Sequence, residues 1–190
     1  MPGKFTKGPT NPVYIDDAKI IFPWFSGKQT PMNREGDRNF GLILTREQAD
    51  QLSKDGYNVK SRRPKDPETQ QPDMTAEETL YVKCKINFNS NKPPRVILVT
   101  CIDGVCKRTP MDDTNITLLD TADVEKVDCK FRPYDREESN TRTAYVDQLF
   151  VTVNLDKYDI KYNDVPWDGA AADAVPHDAA AAHDSVMADN

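Results

Sequence analysis

The sequence predicts a mainly β protein whose strands close into a small barrel of five to six strands. Three observations predict this architecture. Short stretches alternate between apolar and polar residues, turn-forming Gly, Pro, Asn and Asp separate them, and the first stretch changes phase in its middle. Hydrophobic residues make up 37% of the 190 positions, which allows one modest core, and 14 prolines indicate extensive loops. One or two short helices and a disordered acidic C-terminal tail complete the predicted fold.

The first predicted strand covers residues 13–22 and contains a phase change. Its apolar positions follow one parity up to Ile15 and the other parity from Ala18 onward. A β-bulge at Asp16 and Asp17 would place both sets on one face of the strand. A bent and bulged first strand is typical of a small closed barrel.

The remaining elements follow in the same way. Further strands are predicted at 38–44, 80–88, 95–102, 126–134 and 143–155, and residues 57–60 are expected to be extended. Thr45 and Gln48 form a capping-box pattern that starts a short helix ending at Gly56. Asp103 and Gly104 mark a hairpin. Residues 61–78 are expected to be a long loop and 109–124 to be irregular with a helical turn. An OB-type barrel fits this strand count and these loops.

The chain divides into three predicted parts: a flexible N-terminus at 1–12, the barrel domain at 13–162 and a disordered acidic tail at 163–190. The tail contains nine alanines and six aspartates and has little that could form a core. The first ten residues lack the apolar segment of a secretory signal. The product is therefore expected to stay where it is made.

Charge is sorted along the chain. The formal net charge of −6 equals the six tail aspartates, so the 25 basic residues are balanced by the acidic residues that precede the tail. Residues 1–65 hold 12 basic and 7 acidic residues, which makes this stretch positive. Charge segregation of this kind indicates binding partners rather than fold.

Catalytic and metal-binding patterns are weak in this sequence. Both histidines, His177 and His183, lie in the tail, and no phosphate-binding glycine loop occurs. Cys101 and Cys106 have a C-x4-C spacing, but the hairpin between them predicts that they face each other on neighbouring strands. Without an export signal no disulfide is expected. The sequence therefore predicts no enzyme, cofactor or metal. The alternatives are a zinc site at Cys101 and Cys106 and a two-metal nuclease built from acidic pairs.

Aromatic and basic residues instead interleave as single-stranded nucleic acid requires, with rings to stack on bases and cations to contact phosphates. Phe22 and Phe40 are expected to belong to the core, and strand-face lysines can also be ordinary solvated surface. The predicted stacking residues are Trp24, Tyr57, Tyr81 and Tyr134, and the predicted phosphate contacts are Lys28, Arg34, Arg38, Lys60, Arg62, Lys83, Lys85 and Arg132.

Several motifs resemble one family when they are taken in order. They are Phe22-x-x-Phe25-Ser26-Gly27, Asn33-x-x-Gly36-x-Arg38-Asn39-Phe40, Gly56-Tyr57-Asn58-Val59-Lys60, Pro93-Pro94, Arg132-Pro133-Tyr134, and Ala144-Tyr145 ahead of Leu149. From about residue 13 to 164 the sequence resembles the single-stranded DNA-binding proteins of tailed phages and prophages. The resemblance implies an OB-fold that coats single-stranded DNA during replication or recombination in the cytoplasm of the infected host.

The resemblance also implies a function for the tail, since acidic C-termini of such proteins recruit replication enzymes and compete with DNA. Here Asp164, Trp167 and Asp168 form an acidic-Pro-aromatic motif that is followed by further residues up to Asn190. Trp167 could equally pack back on the barrel. The predicted partners are single-stranded DNA and phage or host replication proteins, without a membrane; homo-oligomerisation and strand annealing stay open. The alternative function is a virion or assembly barrel that binds other proteins.

Overall fold

Alternating apolar side chains build the strands of the barrel. The computed structural model describes residues 8–135 and 140–155, so the predicted tail, with Asp164, Trp167 and Asp168, lies outside the described residues. The strands are β1 Val13–Ala18, β2 Ile20–Trp24, β3 Arg38–Leu44, β4 Val59–Arg62, β5 Thr79–Ile86, β6 Arg95–Ile102, β7 Val105–Met111, β8 Val124–Asp135 and β9 Arg142–Val153. The helices are α1, Arg46–Lys54, and a 3-10 helix, Ile116–Asp120.

Five strand paths close into a ring. The bent first path, β1 followed by β2, pairs with β8 through β1 and with β3 through β2. β3 then pairs with β5, β5 runs parallel to β9, and β9 pairs with β8, which completes the circuit. The hairpin β6–β7 extends β9, and β4 adds to β5. The mainly β, OB-type barrel predicted from the sequence is confirmed.

The bulge in the first path is confirmed as well. The register of β1 against β8 shifts between Ile15 and Ala18, and both side chains are buried. Asp17 takes a φ of 52°, which allows the extra residue to be accommodated. A second irregularity between Ile21 and Trp24 turns Phe22 outward, leaving it 47% exposed. The expectation that Phe22 belongs to the core is therefore wrong.

The described residues contain nine strands rather than the five to six predicted. The difference has two causes: the first path divides at Lys19, and β4 and β7 carry little apolar alternation because each pairs on one side only. The 61–78 loop is confirmed apart from the end of β4 and one bridge between Lys65 and Pro72. The predicted helical turn within 109–124 is the 3-10 helix.

The core fills the barrel with side chains from every long strand. Its largest fully buried members are Phe25, Phe40, Phe131, Leu42, Ile116, Leu119 and Leu149. Helix α1 adds Ala49 and Leu52 to this core. The predicted capping box is confirmed, since Thr45 accepts a hydrogen bond from the Gln48 amide and Gln48 accepts one from the Thr45 amide. An N-cap of this kind contributes about 1 kcal/mol.

The positions of Cys101 and Cys106 agree with the sequence-based prediction, but their bonding does not. Cys101 and Cys106 face each other on β6 and β7, as predicted, but they form a disulfide with a Cα–Cα distance of 4.1 Å. The expectation that no disulfide forms is wrong for this structure, because the tight turn at Asp103 and Gly104, both with positive φ, places the two thiols directly opposite each other. Cys84 is a free buried thiol whose pKa is raised by burial.

Residues 8–135 and 140–155 contain no cluster of three or more metal-ligating side chains. They also contain no helix that is long and apolar enough to cross a membrane.

Candidate nucleic-acid interface

A row of aromatic, amide and basic side chains crosses the outer face of the barrel. Residues that lie directly opposite each other on neighbouring strands point to the same side of a sheet. The pairing register therefore aligns one residue from each of five strands, in the order Trp24, Asn39, Lys85, Tyr145 and Arg132. We call this set the cross-strand row. At ~4.8 Å per strand its four steps span roughly 19 Å.

A second line of residues lies beside the cross-strand row. Gly41 lies opposite Ile21 on one side and Lys83 on the other, and Tyr81 lies opposite Ile43 on β3. Gly41 is needed for a close approach: a Cβ atom there would lie 2.7 Å from Ile21 Cγ2 and 2.8 Å from Tyr81 Cδ2. Because Gly41 has no side chain, the side chains of Ile21 and Tyr81 can both pack over β3.

Trp24 stands at the end of an anchored segment. The backbone amides of Phe25 and Ser26 donate to the carboxylate of Asp120, at 2.6 and 2.9 Å. Phe25 is fully buried and stacks on the core ring of Phe40 at 5.5 Å. The Trp24 indole donates through Nε1 to the Lys28 carbonyl at 2.9 Å, and its ring is half-buried. These contacts fix a partly exposed indole at one end of the cross-strand row.

Tyr81 belongs to an aromatic–basic cluster with Phe22 and Arg62. The rings of Phe22 and Tyr81 meet edge to face at 5.7 Å, and the Arg62 guanidinium lies 4.8 Å from the centre of the Phe22 ring. The sequence identified Tyr81 and Arg62 but not Phe22. The alternation of residues 13–22 predicted a buried Phe22, because it gives no sign of the register shift between Ile21 and Trp24.

Three lysines meet beside this cluster. Lys60, Lys83 and Lys85 line a cavity of about 220 Å³ between β4, β5 and the start of β9. Burial lowers the pKa of Lys83, and the nearby Lys85 and Lys60 ammonium groups lower it further, while Asp37 opposes the shift. Asp37 approaches Lys85 Nζ at 2.9 Å and Lys83 Nζ at 4.0 Å. The cavity is thus a concentrated positive site of the kind that binds a phosphate.

The far end of the cross-strand row carries a second aromatic pair. Tyr134 and Tyr145 meet edge to face at 5.5 Å, beside Arg132. Arg132 forms an ion pair with Asp147. Sequence analysis proposed Tyr134 and Arg132 and missed Tyr145, although the alternation of Ala144 and Val146 as buried residues would have placed Tyr145 outside.

Tyr57 does not belong to this surface, contrary to the sequence-based prediction. It is 5% exposed and packs edge to face on Phe131 at 5.6 Å. Its hydroxyl is buried and has no hydrogen-bond partner among the described residues, and burial raises its pKa to about 12. A base cannot stack on a ring that the core covers, so we exclude Tyr57 from the interface.

Arg38 is excluded for a different reason. It lies opposite Ile86 and two residues before Phe40, so it shares the core side of β3 rather than the outer face. Its guanidinium donates to the Asp113 carbonyl at 3.3 Å and lies 5.9 Å from the Phe88 ring. Arg38 therefore closes one end of the barrel. Lys28 and Arg34 are exposed in the loop between β2 and β3, where DNA contact stays a prediction.

A small barrel with rings and cations aligned on its outer face has the features of β-barrel domains that bind nucleic-acid strands. A family model described as the phage ssDNA-binding domain matches residues 3–190. The chain therefore belongs to the phage ssDNA-binding domain family.

Two solved structures are similar to the chain. One is the single-stranded DNA-binding protein from bacteriophage Enc34 with a C-terminal truncation: it is 12% identical, with a TM-score of 0.45, over 82% of this chain and 98% of that chain. The other is the single-stranded DNA-binding protein from bacteriophage Enc34, 10% identical, with a TM-score of 0.42, over 79% of this chain and 89% of that chain. No curated protein matches the chain.

Proposed function

We propose that this protein coats single-stranded DNA without sequence preference and without turnover, during phage DNA replication or recombination in the cytoplasm of the infected host. The observation that carries the proposal is the cross-strand row, which aligns an indole, a lysine, a tyrosine and an arginine across five strands. Rings stack on any base and cations contact any phosphate, so such a row binds strands irrespective of sequence.

The DNA path runs from Trp24 over the lysine cavity toward Arg132. Lys60, Lys83 and Lys85 contact phosphates in the middle of this path, and the cluster of Tyr81 with Arg62 borders it. Because the contacts are to phosphates, affinity falls with salt by a slope of about −0.7 per phosphate contact on a single strand.

The acidic segment 163–190 has two functions in this proposal. It recruits phage or host replication proteins through Asp164, Trp167 and Asp168, and it competes with DNA for the basic surface. The support for this function is the segregation of charge, since the whole formal net charge of −6 equals the six aspartates of that segment.

Tryptophan fluorescence provides the test, because Trp24 and Trp167 are the two tryptophans of the chain. The Trp167→Phe variant leaves Trp24 as the reporter and is titrated with a poly-dT oligonucleotide, a matched duplex and a matched RNA. We expect salt-sensitive quenching by the DNA single strand and little response to duplex. Trp24→Ala removes that reporter, so its affinity is measured by the anisotropy of a fluorescein-labelled poly-dT oligonucleotide. We expect it to bind roughly 5- to 100-fold more weakly, as the loss of one stacked base requires.

Tyr14→Ala is the matched control. Tyr14 is 62% exposed and lies beside Lys130, 5.5 Å from its ammonium, but β1 holds it outside the cross-strand row. We expect this variant to bind as the parent does. Absence of binding at low salt, or equal binding to duplex, would instead favour a barrel that binds other proteins during virion assembly.

A further inference from the structure

A cleft lies at the Arg132 end of the proposed DNA path and adds groups that the cross-strand row does not contain. It has a volume of about 530 Å³ and is formed by the loop at residues 87–92 on one side and by β8 and β9 on the other. Sites for small organic molecules fall in the range of ~300–1,000 Å³. The cleft is therefore large enough for a nucleotide unit.

Two tyrosines form the apolar corner of the cleft. The rings of Tyr134 and Tyr145 are inclined at 79°, and Pro133 and Val146 line the space beside them. Tyr134 is 54% exposed, so part of its surface is open to a ligand. A flat heterocycle entering this corner can stack on one ring while the other ring closes the side.

The opposite wall is polar. Asn87, Asn91 and Lys92 line this loop side of the cleft, and Arg132, which is paired with Asp147, adds a second cation from the β8 side. Carboxamides can both donate and accept hydrogen bonds, as the edge of a base requires, whereas the cations suit a phosphate. The combination matches a nucleotide better than a purely apolar ligand or a free anion.

The loop that carries this wall is braced by its own contacts. Asn87 accepts a hydrogen bond from the Asn89 amide at 3.0 Å, and the Ser90 hydroxyl donates to the Lys92 carbonyl at 2.7 Å. Pro93 and Pro94 follow directly, and each fixes its own φ. A wall formed in advance loses little conformational entropy when a ligand binds.

The cleft also continues the DNA path. Tyr145 lies opposite Lys85, so a strand that contacts the lysine cavity reaches Tyr145 one strand spacing further on. We propose that the cleft binds one unstacked nucleobase of the single strand, with Tyr145 and Tyr134 against its ring, the carboxamides at its edge, and Lys92 and Arg132 on the adjoining phosphates. This inference rests on the proposed function.

Photo-crosslinking of the full chain tests the cleft. A poly-dT oligonucleotide with scattered 5-iododeoxyuridine is irradiated in the complex, and crosslinked peptides are identified by mass spectrometry. We expect crosslinks at Tyr134 in addition to crosslinks along the cross-strand row. Crosslinks along the row without any at Tyr134 would overturn the cleft and leave the proposed function intact, whereas wild-type protein that does not bind the oligonucleotide contradicts the proposed function itself.

Affinity provides the second readout. Tyr134→Leu is expected to weaken binding of poly-dT by about 5- to 100-fold, the effect of one lost stacking contact. Tyr14→Leu, the same change at an exposed tyrosine outside the path, is expected to bind as wild type. Thermal unfolding of both variants checks that the barrel is intact. A folded Tyr134→Leu variant with wild-type affinity would refute the cleft.

Discussion

Asp37 places a carboxylate between two lysines of the proposed DNA path. Its oxygens lie 2.9 Å from Lys85 Nζ and 4.0 Å from Lys83 Nζ, and Asn33 also approaches Lys83 at 3.4 Å. The Asp37 amide donates to the Arg34 carbonyl and the Asn39 amide group donates to the Asp37 carbonyl, so the loop holds this position. A DNA phosphate that binds the two lysines must replace the carboxylate.

We therefore expect Asp37→Asn to tighten binding of single-stranded DNA at low salt. The lost competition corresponds to a partly exposed ion pair of ~0.2–1 kcal/mol, or about a 1.4-fold to fivefold change in Kd. Fluorescence titration over a range of salt measures it, with Asp50→Asn on the exposed side of α1 as a control that removes the same charge. Weaker binding by Asp37→Asn would show that the carboxylate orients the lysines instead.

Tyr57 offers a prediction about stability rather than binding. Its buried hydroxyl has no hydrogen-bond partner among residues 8–135 and 140–155, and an unsatisfied buried hydroxyl is destabilising. We expect Tyr57→Phe to raise the free energy of unfolding at pH 7 by about 1 kcal/mol. Urea denaturation measures this value. A decrease of similar size would show that the hydroxyl does contribute a favourable contact.

The pH dependence of the same variant has a defined sign. Burial raises the pKa of Tyr57 from 10.0 to about 12. Below pH 10 the phenol is neutral in the folded and in the unfolded protein. Above pH 10 the unfolded chain loses the proton first, so the free energy of unfolding falls as the pH rises toward 12. The loss between pH 10 and 12 is expected to be smaller in Tyr57→Phe than in the parent. Equal losses would contradict the assigned shift.

Tyr57 and Arg38 show which residue properties can be read from sequence. The parity of Arg38 with Phe40 and Leu42 already places it on the core side of β3, so its exclusion from the interface was available from alternation. The burial of Tyr57 could not be predicted from alternation, because it depends on packing against Phe131, which is distant in sequence. Local interleaving of aromatic and basic residues cannot distinguish a ring on the surface from a ring in the core.

At the scale of elements, strands with one buried face were predicted more fully than edge strands. β5 and β8 alternate cleanly because one face of each packs in the barrel, and the sequence located both. β4 pairs only with β5 and is exposed along most of its length, so the sequence indicated only an extended segment at 57–60 that overlaps it in part. The bulge at Asp17 was visible as a parity change, whereas the division at Lys19 was not.

The β6–β7 hairpin leads to a prediction at this scale. Its disulfide closes a short loop, so in the chain-entropy description it stabilises the fold by at most ~2 kcal/mol. The hairpin borders β9 away from the cross-strand row. We expect reduction with dithiothreitol to lower the unfolding midpoint slightly and to leave the affinity for single-stranded DNA unchanged within about twofold.

The double variant Cys101→Ser, Cys106→Ser provides the matched control for reduction, since Cys84 and Cys129 are buried free thiols in either case. It should behave as the reduced protein does. A large loss of affinity in both would mean that the hairpin itself takes part in binding. Independence from the disulfide is what the proposed action in a reducing host cytoplasm requires.

At the scale of the whole molecule, charge is divided between a neutral barrel region and an acidic segment. The 25 lysines and arginines all precede residue 163, and the six aspartates of 163–190 account for the formal net charge of −6. A covalently attached acidic segment acts at a high effective concentration on any basic surface that it can reach. If the segment competes with DNA as proposed, the affinity of the full chain for DNA reflects competition between phosphates and these aspartates.

Deleting residues 163–190 is accordingly expected to tighten binding of poly-dT by about threefold to tenfold at low salt, and the difference should shrink as salt screens the competition. Two variants distinguish the causes. Replacing the six aspartates of 163–190 by asparagine removes the charge at unchanged chain length, and Trp167→Ala removes the indole at unchanged charge. We expect the asparagine chain to bind as tightly as the deletion and Trp167→Ala to bind as the parent does. If Trp167→Ala alone tightens binding as much as the deletion does, the indole rather than the charge competes with DNA. If the deletion leaves the affinity for poly-dT unchanged, the segment does not compete with DNA.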